Sequence, residues 1–443
     1  MKYQPVIGLE VHIELSTKSK MFCACSADYF GAEPNTHTCP ICLGLPGALP
    51  KANELAIKFA QRLGTALNCT IGLSSKFDRK NYFYPDLSKG FQISQYDLPF
   101  SQRGFICIST SSGQIKRIGI TRAHLEEDTG KLTHATVNNR RVTLVDFNRS
   151  GVPLMEVVSE PQTHSAQEAK IYAQKLQQIV RYLNISDADM EKGSMRIEPN
   201  ISLRKEGSKT LPNYKVELKN INSFKFAEKA INFEIERQAQ ILDKGNTPIQ
   251  ETRGWNEQKS QTVSQRTKEL AHDYRYFPEP DLPPFAFDQK YFDDLKKGIP
   301  ELPDNKTDRF LQKYKLSAYD IEILTRDKSV ADYFEEAVNV GKRFDITPKH
   351  IANVMINKKP DINRLLPAKL IEDIYKAGRT TSINAIELIK VIEEVLAQNS
   401  KAIEDYRKGK ENALMFLTGQ VIRKVKGKAN AQEIIDLIKE KVK

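Results

Sequence analysis

Residues 7–15 read IGLEVHIEL, and this stretch decides the fold of the N-terminal region. Its odd-numbered positions are apolar, and Glu10, His12 and Glu14 lie between them. Because successive side chains of a strand point to opposite faces, the alternation predicts a half-buried strand. The polar face of that strand carries an imidazole between two carboxylates.

Two later segments, 196–204 and 215–219, alternate in the same way. Several strands of this kind predict an antiparallel sheet with one wet face, and here the wet face is rich in charge, which suits a binding platform. Two helices interrupt the strands. Ser165 and Glu168 form a capping-box pattern before one of them, and the other is predicted from about Asn53 to Leu67.

The composition and the hydrophobic periodicity of the chain change after the proline-rich stretch PEPDLPP at 278–284. Beyond it, Lys, Glu, Leu and Ile recur at helical spacing and strand alternation fades. We therefore predict an α+β protein with a sheet-based domain over 1–290, a helical domain over 291–380 and a small helical tail domain over 381–443. The second boundary rests on the break GRTTS at 378–382.

Composition restricts the class of protein. The chain has 443 residues, is 40% hydrophobic and 28% charged, and carries a net charge of +11. No uninterrupted apolar run is long enough to cross a membrane, and charged residues interrupt the first apolar stretch, so a cytosolic protein is expected. The positive charge favours anionic partners, nucleic acid first, although a solvated lysine-rich surface explains it equally well.

Four of the six cysteines are bunched in two pairs, and His37 is a spare ligand candidate beside them. Two thiolate pairs this close in sequence favour tetrahedral zinc in a cytosolic chain, and four reduced thiols on a loop are the alternative. Cys69 and Cys107 are predicted to be buried small hydrophobes. The predicted zinc ligands are Cys23, Cys25, Cys39 and Cys42.

Carboxylates cluster in short segments marked by glycine or proline, namely 126–128, 156–160 and Glu191. Together with Glu10 and His12 they could converge on a hard cation, and oxygen ligands with one imidazole suit magnesium or manganese. Surface acids and helix caps are the alternative for any one segment. The chain has no P-loop motif, so any use of ATP would occur on a sheet of carboxylates and basic residues.

Two runs interleave aromatic and basic residues, at 77–86 and 271–280. Such side chains could stack on bases and hold phosphates, or they could be core strands with charged edges.

Long motifs in order resemble one family, the GatB family of tRNA-dependent amidotransferase components. They span residues 8–284, about two-thirds of the chain, and the tail adds GQVIRKVKGKAN at 419–430. The motifs are GLEVHIEL at 8–15, FDRKNYFYPDLSKG at 77–90, HLEEDTGK at 124–131, LVDFNRSGVPLMEVVSEP at 144–161, MEKGSMR at 190–196, ELKNINSF at 217–224, ETRGW at 251–255 and AHDYRYFPEPDLPP at 271–284.

The resemblance implies a carbon–nitrogen ligase that converts Glu-tRNA(Gln), and often Asp-tRNA(Asn), to the amide form. A GatB protein would bind tRNA and activate the side-chain carboxylate with ATP and magnesium. Ammonia would arrive from a glutaminase partner (GatA), and a small third partner (GatC) would clasp the two. The implied fold is a cradle domain on an antiparallel sheet resembling glutamine synthetase, followed by a helical domain and a tail that contacts tRNA.

The resemblance also implies site residues. Metal binding and catalysis are predicted at His12, Glu126 and Glu127, with Glu10 and Glu156 as further candidates. Phosphate or aminoacyl contacts are predicted, from motif membership and charge, at Lys80, Arg149, Arg196 and Lys219.

The chain departs from the family pattern at three points. Glu198-Pro199 stands where the family usually has Asp-Ala, the segment 365–385 is shorter than usual, and the net charge is unusually basic. Two other functions compete: a zinc-stabilised tRNA-binding scaffold without kinase activity, and the archaeal-type relative that works with an asparaginase-like partner. Intact acid motifs count against the first, and the length of 443 residues leaves no room for the domain inserted in the second.

Overall fold

The computed structural model describes residues 2–110, 112–267, 273–380, 384–425, 429 and 431–442. The chain divides into two compact units, the first ending at Lys306 and the second beginning at Thr307. Each unit has its own apolar core.

Strands dominate the first unit. In chain order they are β1 (Tyr3–Glu14), β2 (Thr70–Ile71), β3 (Ser74–Ser75), β4 (Asp78–Asn81), β5 (Phe91–Ser94), β6 (Ser101–Ser109), β7 (Ile115–Glu127), β8 (Lys131–Val137), β9 (Arg140–Asp146), β10 (Pro153–Ser159), β11 (Met195–Lys205), β12 (Val216–Lys219), β13 (Glu251–Asn256), β14 (Gln261–Thr267), β15 (Phe277–Pro278) and β16 (Phe285–Ala286). Its helices are α1 (Glu54–Ala66), α2 (Ala166–Tyr182), α3 (Phe224–Asp243) and α4 (Gln289–Lys297).

Nine strands form one sheet in the order β14-β13-β12-β11-β1-β10-β7-β6-β2. Neighbours are antiparallel except β12 and β13. The predicted first strand lies near the centre, between β10 and β11. The prediction of an antiparallel-rich sheet in an α+β protein is therefore confirmed.

The alternation in β1 divides the two faces of the sheet. Leu9, Val11 and Ile13 are buried in an apolar core that also contains residues of α1, α2 and α3. Glu10 and His12 lie on the opposite face. The helices thus cover one face, which leaves the other available for a site.

Local capping explains where the first two helices begin. The Asn53 side chain accepts hydrogen bonds from the backbone of the first turn of α1, close to the predicted start. Ser165 caps α2 through the amide of Glu168. In a capping box the Glu168 carboxylate would accept the backbone amide of Ser165 itself. Here it accepts the amide of His164, one residue before the cap.

The proline-rich stretch after β14 folds back onto the first unit. β15 pairs with β4, and β16 pairs with β3. The first compact unit extends beyond residue 290 to Lys306, and there Tyr291 donates to Gln61 and Lys175 pairs with Asp304.

The second unit is helical over the residues that are described. Its helices are α5 (Pro303–Tyr314), α6 (Ala318–Thr325), α7 (Lys328–Gly341), α8 (Pro348–Lys358), α9 (Pro367–Thr380), α10 (Ala385–Gln398), α11 (Ser400–Arg407), α12 (Glu411–Lys424) and α13 (Ala431–Val442), with a 3-10 turn at Lys342–Phe344. Two separate apolar clusters hold them, one within 310–374 and one within 388–442. The predicted break at 378–382 extends beyond Thr380 into residues outside those described.

Candidate active site and cysteine cluster

The wet face of the sheet holds a charged cavity of about 460 Å³. Strands β1, β7, β10, β11 and β12 provide its floor, and residues of β4 and of the segment before β15 line one side. Its lining residues include Glu10, His12, Lys80, Tyr82, Arg122, His124, Glu126, Asp128, Glu156, Arg196, Glu198, Asn200, Lys215, Glu217, Lys219, Tyr274 and Tyr276.

Strand register brings the central acids together. His12 lies opposite Glu156 on β10, and Glu156 lies opposite His124 on β7. Nε2 of His12 is 3.6 Å from a carboxylate oxygen of Glu156 and 3.9 Å from one of Glu126. We call His12, Glu126 and Glu156 the acid cluster.

His124 supports the acid cluster from beside it. Its Nδ1 accepts a hydrogen bond from Nε of Arg122 at 3.3 Å, which assigns the ring proton to Nε2. That Nε2 lies 3.3 Å from Glu156 and donates toward it. His124 therefore orients the carboxylate of Glu156.

Electrostatics keep both carboxylates of the acid cluster ionised although they are buried. Burial opposes ionisation of Glu156, but the imidazoles of His124 and His12 lower its pKa well below the usual value. Burial likewise opposes protonation of His12, yet the hydrogen bond with Glu156 raises the pKa of His12 to about 9. The cluster thus has two buried anions beside a protonated His12, and His124 adds a hydrogen bond to Glu156.

The donor set of the acid cluster fits a divalent cation. One ligand atom from each of the three residues lies within 4.8 Å of the others. Two carboxylates with one imidazole suit magnesium or manganese. Ser94 holds Glu126 from behind through a hydrogen bond of 3.1 Å, so the carboxylate has a fixed orientation.

Glu127 is placed differently from the prediction. Consecutive residues of β7 point to opposite faces, so Glu127 cannot join Glu126 at the cluster. Its carboxylate instead pairs with Lys89 and accepts the amide of Ile93. Metal binding was predicted for Glu126 and Glu127 together, and the structure brings only Glu126 to the acid cluster.

Glu10 precedes His12 by two residues on β1 and lines the cavity on the same face, but it lies outside the acid cluster. Its carboxylate accepts a hydrogen bond from the Asn200 amide at 2.9 Å. Burial, followed by repulsion from Glu156, raises its pKa above the usual value. Glu198, the residue that departs from the family pattern, lines the same cavity and pairs with Lys219 at 2.7 Å.

Three of the four predicted cations line the cavity: Lys80, Arg196 and Lys219. Lys80 lies over the rings of Tyr82 and Tyr274. Burial lowers the pKa of Lys80, but the charge of Glu126, together with other groups around the cavity, raises it above the usual value. Lys80 therefore stays protonated.

Arg149 does not line the cavity, so the structure does not bring it together with the other three predicted cations. Its guanidinium donates to the carbonyls of Thr129 and Gly130 at 2.9 and 2.8 Å. It therefore braces the turn that follows β7.

Asp128 connects the charged cavity with the loop that carries the cysteines. It pairs with Arg196 and shares a hydrogen bond with Glu14. The hydroxyl of Tyr29 donates to Glu14 at 3.0 Å. Burial and the adjacent Asp128 raise the pKa of Glu14 to about 8, so Glu14 is protonated at neutral pH.

The four bunched cysteines meet in space, and we call them the cysteine cluster. Their four sulfur atoms lie within 4.8 Å of one another, and Sγ of Cys39 and Cys42 are 3.9 Å apart. Zinc–sulfur bonds of about 2.3 Å in a tetrahedron put sulfurs roughly 3.8 Å apart, so the spacing fits that geometry. His37 is not among these ligands.

Lys20 is a fully buried lysine next to the cysteine cluster. Its Nζ donates to the carbonyls of His37 and Phe147 at 2.7 and 3.3 Å, and it lies 3.7 Å from Sγ of Cys42. The Cys23 thiol and this ammonium lower the pKa of Cys42 to about 4. Lys20 thus stabilises a thiolate and attaches the loop to the segment before β10.

Sequence reasoning missed two features of the cavity. His124 shares the period-two alternation of β7 with Glu126, so that spacing was a usable signal. The two aromatic–basic runs lie together at the cavity, because β15 pairs with β4. Tyr82 and Tyr276 line the cavity, whereas Phe77 is a core residue. The interpretation as core strands holds for Phe77, and stacking of the tyrosines on bases stays a prediction.

Comparison with known proteins agrees with this arrangement. The family model described as the GatB/GatE catalytic domain matches residues 5–293, and that of the GatB domain matches residues 367–442. The chain thus has an N-terminal region that matches the GatB/GatE catalytic domain and a C-terminal region that matches the GatB domain.

Full-length relatives agree. The chain is 44% identical over 479 positions to the GatB component of the aspartyl/glutamyl-tRNA(Asn/Gln) amidotransferase of Thermoanaerobacter pseudethanolicus, covering 100% of both. It is 45% identical over 487 positions to the equivalent protein of Dehalococcoides mccartyi strain 195, covering 99% of both. This chain belongs to the GatB family.

The relatives are longer than this chain, and the described helices were also compared with the length of a membrane span. Alignments of 479 positions or more cover essentially all 443 residues, so the relatives carry positions that this chain lacks. Among the helices described, none is both long and apolar enough to cross a bilayer.

Proposed function

We propose that this chain is the component of a tRNA-dependent amidotransferase that activates the side-chain carboxylate of Glu-tRNA(Gln), Asp-tRNA(Asn) or both. The names of the relatives support the substrate class. The observation that carries the proposal is the buried acid cluster, which lies in a cavity lined by cations on the nine-stranded sheet of this chain.

The chemistry proceeds in two steps. A carboxylate is a poor acyl donor, so its oxygen first attacks the γ-phosphorus of ATP, which releases ADP and forms an acyl phosphate. Ammonia then attacks the acyl carbon, phosphate leaves, and the side chain becomes an amide. The first step needs positioning and charge neutralisation more than a nucleophile from the protein, which agrees with a site made of acids and cations.

Each part of the cavity has a role in this proposal. Glu126, Glu156 and His12 would hold magnesium, which supplies charge neutralisation at the transferred phosphoryl group. Lys80 and Arg196 would contact phosphate or aminoacyl oxygens. Lys219 would be a weaker contact, because Glu198 and Glu217 already engage its ammonium.

The cysteine cluster would bind a structural zinc ion. All four positions are cysteine sulfur, which leaves no open position for substrate, and structural zinc sites have this closed character. Its attachment through Lys20 and Tyr29 supports a scaffolding role behind the charged cavity.

The remaining family features are proposals of the same kind. A cradle resembling that of glutamine synthetase over residues 1–290, a helical domain over 291–380 and a tRNA-contacting tail over 381–443 complete the chain. A glutaminase partner (GatA) would supply ammonia, and a small partner (GatC) would complete a heterotrimer.

The test uses the reconstituted heterotrimer with Glu-tRNA(Gln). We expect His12→Ala to abolish ATP hydrolysis that depends on misacylated tRNA while tRNA binding is retained. Unchanged hydrolysis would place the phosphoryl-transfer site elsewhere and favour the scaffold function.

A further inference from the structure

Strands β8 and β9 form a hairpin that stands apart from the main sheet. Within the described residues the two strands pair only with each other, as a separate two-stranded sheet. Their apolar side chains belong to none of the three described apolar clusters, and Val137 and Leu144 are 46% and 52% exposed. An isolated two-stranded hairpin is only marginally stable in water, so this one needs support at its base, from a partner, or from both.

The tip of the hairpin is a defined turn. Asn138 and Asn139 both have positive φ angles, of 49° and 58°. Two successive left-handed residues are typical of a type I′ turn, whose twist matches that of the paired strands. Val137 and Arg140 pair across this turn. Each strand has 7 residues, so the hairpin extends roughly 20 Å from its base.

The base of the hairpin is fastened by the loop that joins the two cysteine pairs. Nδ2 of Asn35 in that loop donates to the Val145 carbonyl at 3.1 Å, and its Oδ1 accepts the Phe147 amide at 2.8 Å. The backbone amide of Asn35 also donates to Oδ1 of Asp146 at 2.9 Å. One loop residue thus holds three successive residues at the end of β9.

Further hydrogen bonds hold both strands at the base. The fully buried Asn148, just after β9, donates to the Glu33 carbonyl and accepts the His37 amide, each at 2.7 Å. On the side of β8, the Gly130 amide donates to the Asp86 carbonyl at 2.8 Å. The base is therefore fixed by the loop of the cysteine cluster, while the rest of the hairpin projects.

The charge of the hairpin is positive. Lys131, Arg140 and Arg141 are exposed, and in the described part of the chain none of them has a carboxylate partner. The one carboxylate of the hairpin, that of Asp146, lies at the base and accepts the backbone amides of Asn35 and Asn148. A projecting surface with unpaired cations complements a polyanion.

The hairpin begins at the edge of the charged cavity. Thr129 lines that cavity and precedes β8 by two residues. In the proposed function the cavity receives the aminoacyl end of the tRNA, so the paired stem of the RNA continues outside it. A projection of roughly 20 Å whose base borders the cavity is long enough to reach that stem.

We propose that this hairpin, which we call the basic hairpin, binds the duplex stem next to the aminoacyl end of the tRNA, and that the loop of the cysteine cluster holds it in place. The inference rests on the proposed function and adds an RNA contact to it. Two-stranded ribbons enter nucleic-acid grooves, and the wide, shallow minor groove of A-form RNA presents phosphates and 2′-hydroxyl groups. Arg140 and Arg141 would contact phosphates, so the contact would not depend on base sequence.

The first test measures tRNA binding by the reconstituted heterotrimer. Arg140→Gln combined with Arg141→Gln should raise the Kd for tRNA about 5–20-fold and lower the salt slope of binding by about 1 to 2. The kcat of tRNA-dependent ATP hydrolysis at saturating tRNA should stay within about twofold.

The control for this measurement removes the same charge elsewhere on the first unit. Lys205→Gln combined with Lys209→Gln changes two exposed lysines at the end of β11 and in the loop after it. This control should keep the Kd within about twofold. Equal weakening by both double variants, or no weakening by the arginine variant, would overturn the proposal.

The second test identifies what the hairpin touches. We expect p-benzoylphenylalanine, placed at Val137 in the heterotrimer, to cross-link to bound Glu-tRNA(Gln) within its acceptor stem. A cross-link to a partner subunit instead would overturn the proposal and show that the hairpin is a protein interface. Loss of heterotrimer assembly in the double arginine variant would have the same meaning.

The third test concerns the support from the cysteine loop. Asn35 has a φ of 59°, so Asn35→Gly removes the side-chain bonds to the hairpin while the backbone keeps its conformation. We expect tRNA affinity to fall about three- to tenfold with zinc content unchanged. The matched control is Asn68→Gly, because Asn68 also has a positive φ, of 56°, and its side chain bonds the Phe105 carbonyl instead. Unchanged affinity in Asn35→Gly would overturn the supporting role of the loop.

The two proposals fail in different ways. If the wild-type complex binds tRNA but does not hydrolyse ATP in response, the proposed function fails, whereas the Kd values and the cross-link still decide the hairpin contact. If hydrolysis occurs and the hairpin variants match wild type in Kd and salt slope, the phosphoryl site stands and only the RNA contact is wrong.

Discussion

The acid cluster and the cysteine cluster both gather ligand atoms, but their residues come together by different routes. The four cysteines lie within residues 23–42, and two short spacings bring them together. The acid cluster takes His12, Glu126 and Glu156 from three strands and depends on β7, β10 and β1 being in the correct register. A local motif can thus indicate a site directly, whereas a site built by a sheet requires its topology.

The two clusters also differ in the groups that compensate their negative charge. Lys20 lies against the cysteine cluster as a buried cation, while the acid cluster contains a protonated His12 and has protonated Lys80 nearby. If the first cluster is structural and the second reactive, substitutions should separate stability from activity.

The largest separation is expected at Glu156. In Glu156→Gln, tRNA-dependent ATP hydrolysis by the complex should fall about 10²–10³-fold, because one of the two anions proposed to hold the cation is lost. The matched control is Glu160→Gln, whose carboxylate bonds Thr121 outside the acid cluster. Equal losses in both variants would show that the segment matters only for folding.

The cysteine cluster should show the reverse behaviour. Cys23→Ser combined with Cys42→Ser should remove bound zinc and lower stability by about 4 kcal/mol, the stabilisation that a ligand at a thousand times its Kd provides. Metal content and thermal unfolding measure the two effects. Cys107→Ser, outside the cluster, should change neither; zinc retained in the double variant would contradict the assignment.

Lys20 allows a finer test of the cysteine cluster. Lys20→Met removes the ammonium beside Cys42, so zinc affinity in a chelator competition should fall about 10–100-fold. Lys18→Met is the control, because Lys18 is exposed and close in sequence. If both variants bind zinc like wild type, the buried charge has no role at the thiolates.

The smallest expected effect concerns the link between the clusters. The pKa of Glu14 is about 8 in the folded chain and 4.5 when unperturbed, so Glu14 binds a proton more tightly in the folded state. Stability should therefore decrease as pH rises from about 5 to 8. Glu14→Gln should remove this part of the slope.

Glu191→Gln provides the control for that measurement, since Glu191 is exposed. Thermal unfolding of the three proteins at pH 5, 6.5 and 8 suffices. If the Tm of wild type and the Tm of Glu14→Gln change with pH in parallel, Glu14 is ionised in the folded state.

Much of the fold was readable from alternation and capping. The central strand, the antiparallel-rich sheet, α1 and α2, and the loss of strands after residue 290 all followed from local patterns. Strand order did not follow, because register depends on pairing partners far apart in sequence. The pairing of β15 with β4 and of β16 with β3 was not predicted for the same reason, and the prolines around these two short strands hid them.

Residue types in the candidate site were more predictable than their positions. His12, Glu126 and Glu156 were named from motifs, but Glu127 was named with them although neighbours on a strand diverge. Arg149 was chosen by charge, and its role as a brace depends on carbonyls that only the folded turn presents. His124 could have been found from its spacing to Glu126.

The most direct test of the central claim compares Glu126→Gln and Glu127→Gln, made separately, in the reconstituted complex. Adjacent residues with identical chemistry differ only in the sheet face that they occupy. We predict that Glu126→Gln loses ATP hydrolysis dependent on misacylated tRNA with tRNA binding intact. Glu127→Gln should keep hydrolysis and lower stability by about 1–3 kcal/mol, because Lys89 loses its buried partner. The opposite pattern, or equal loss of hydrolysis in both, would contradict the acid cluster as the reactive centre.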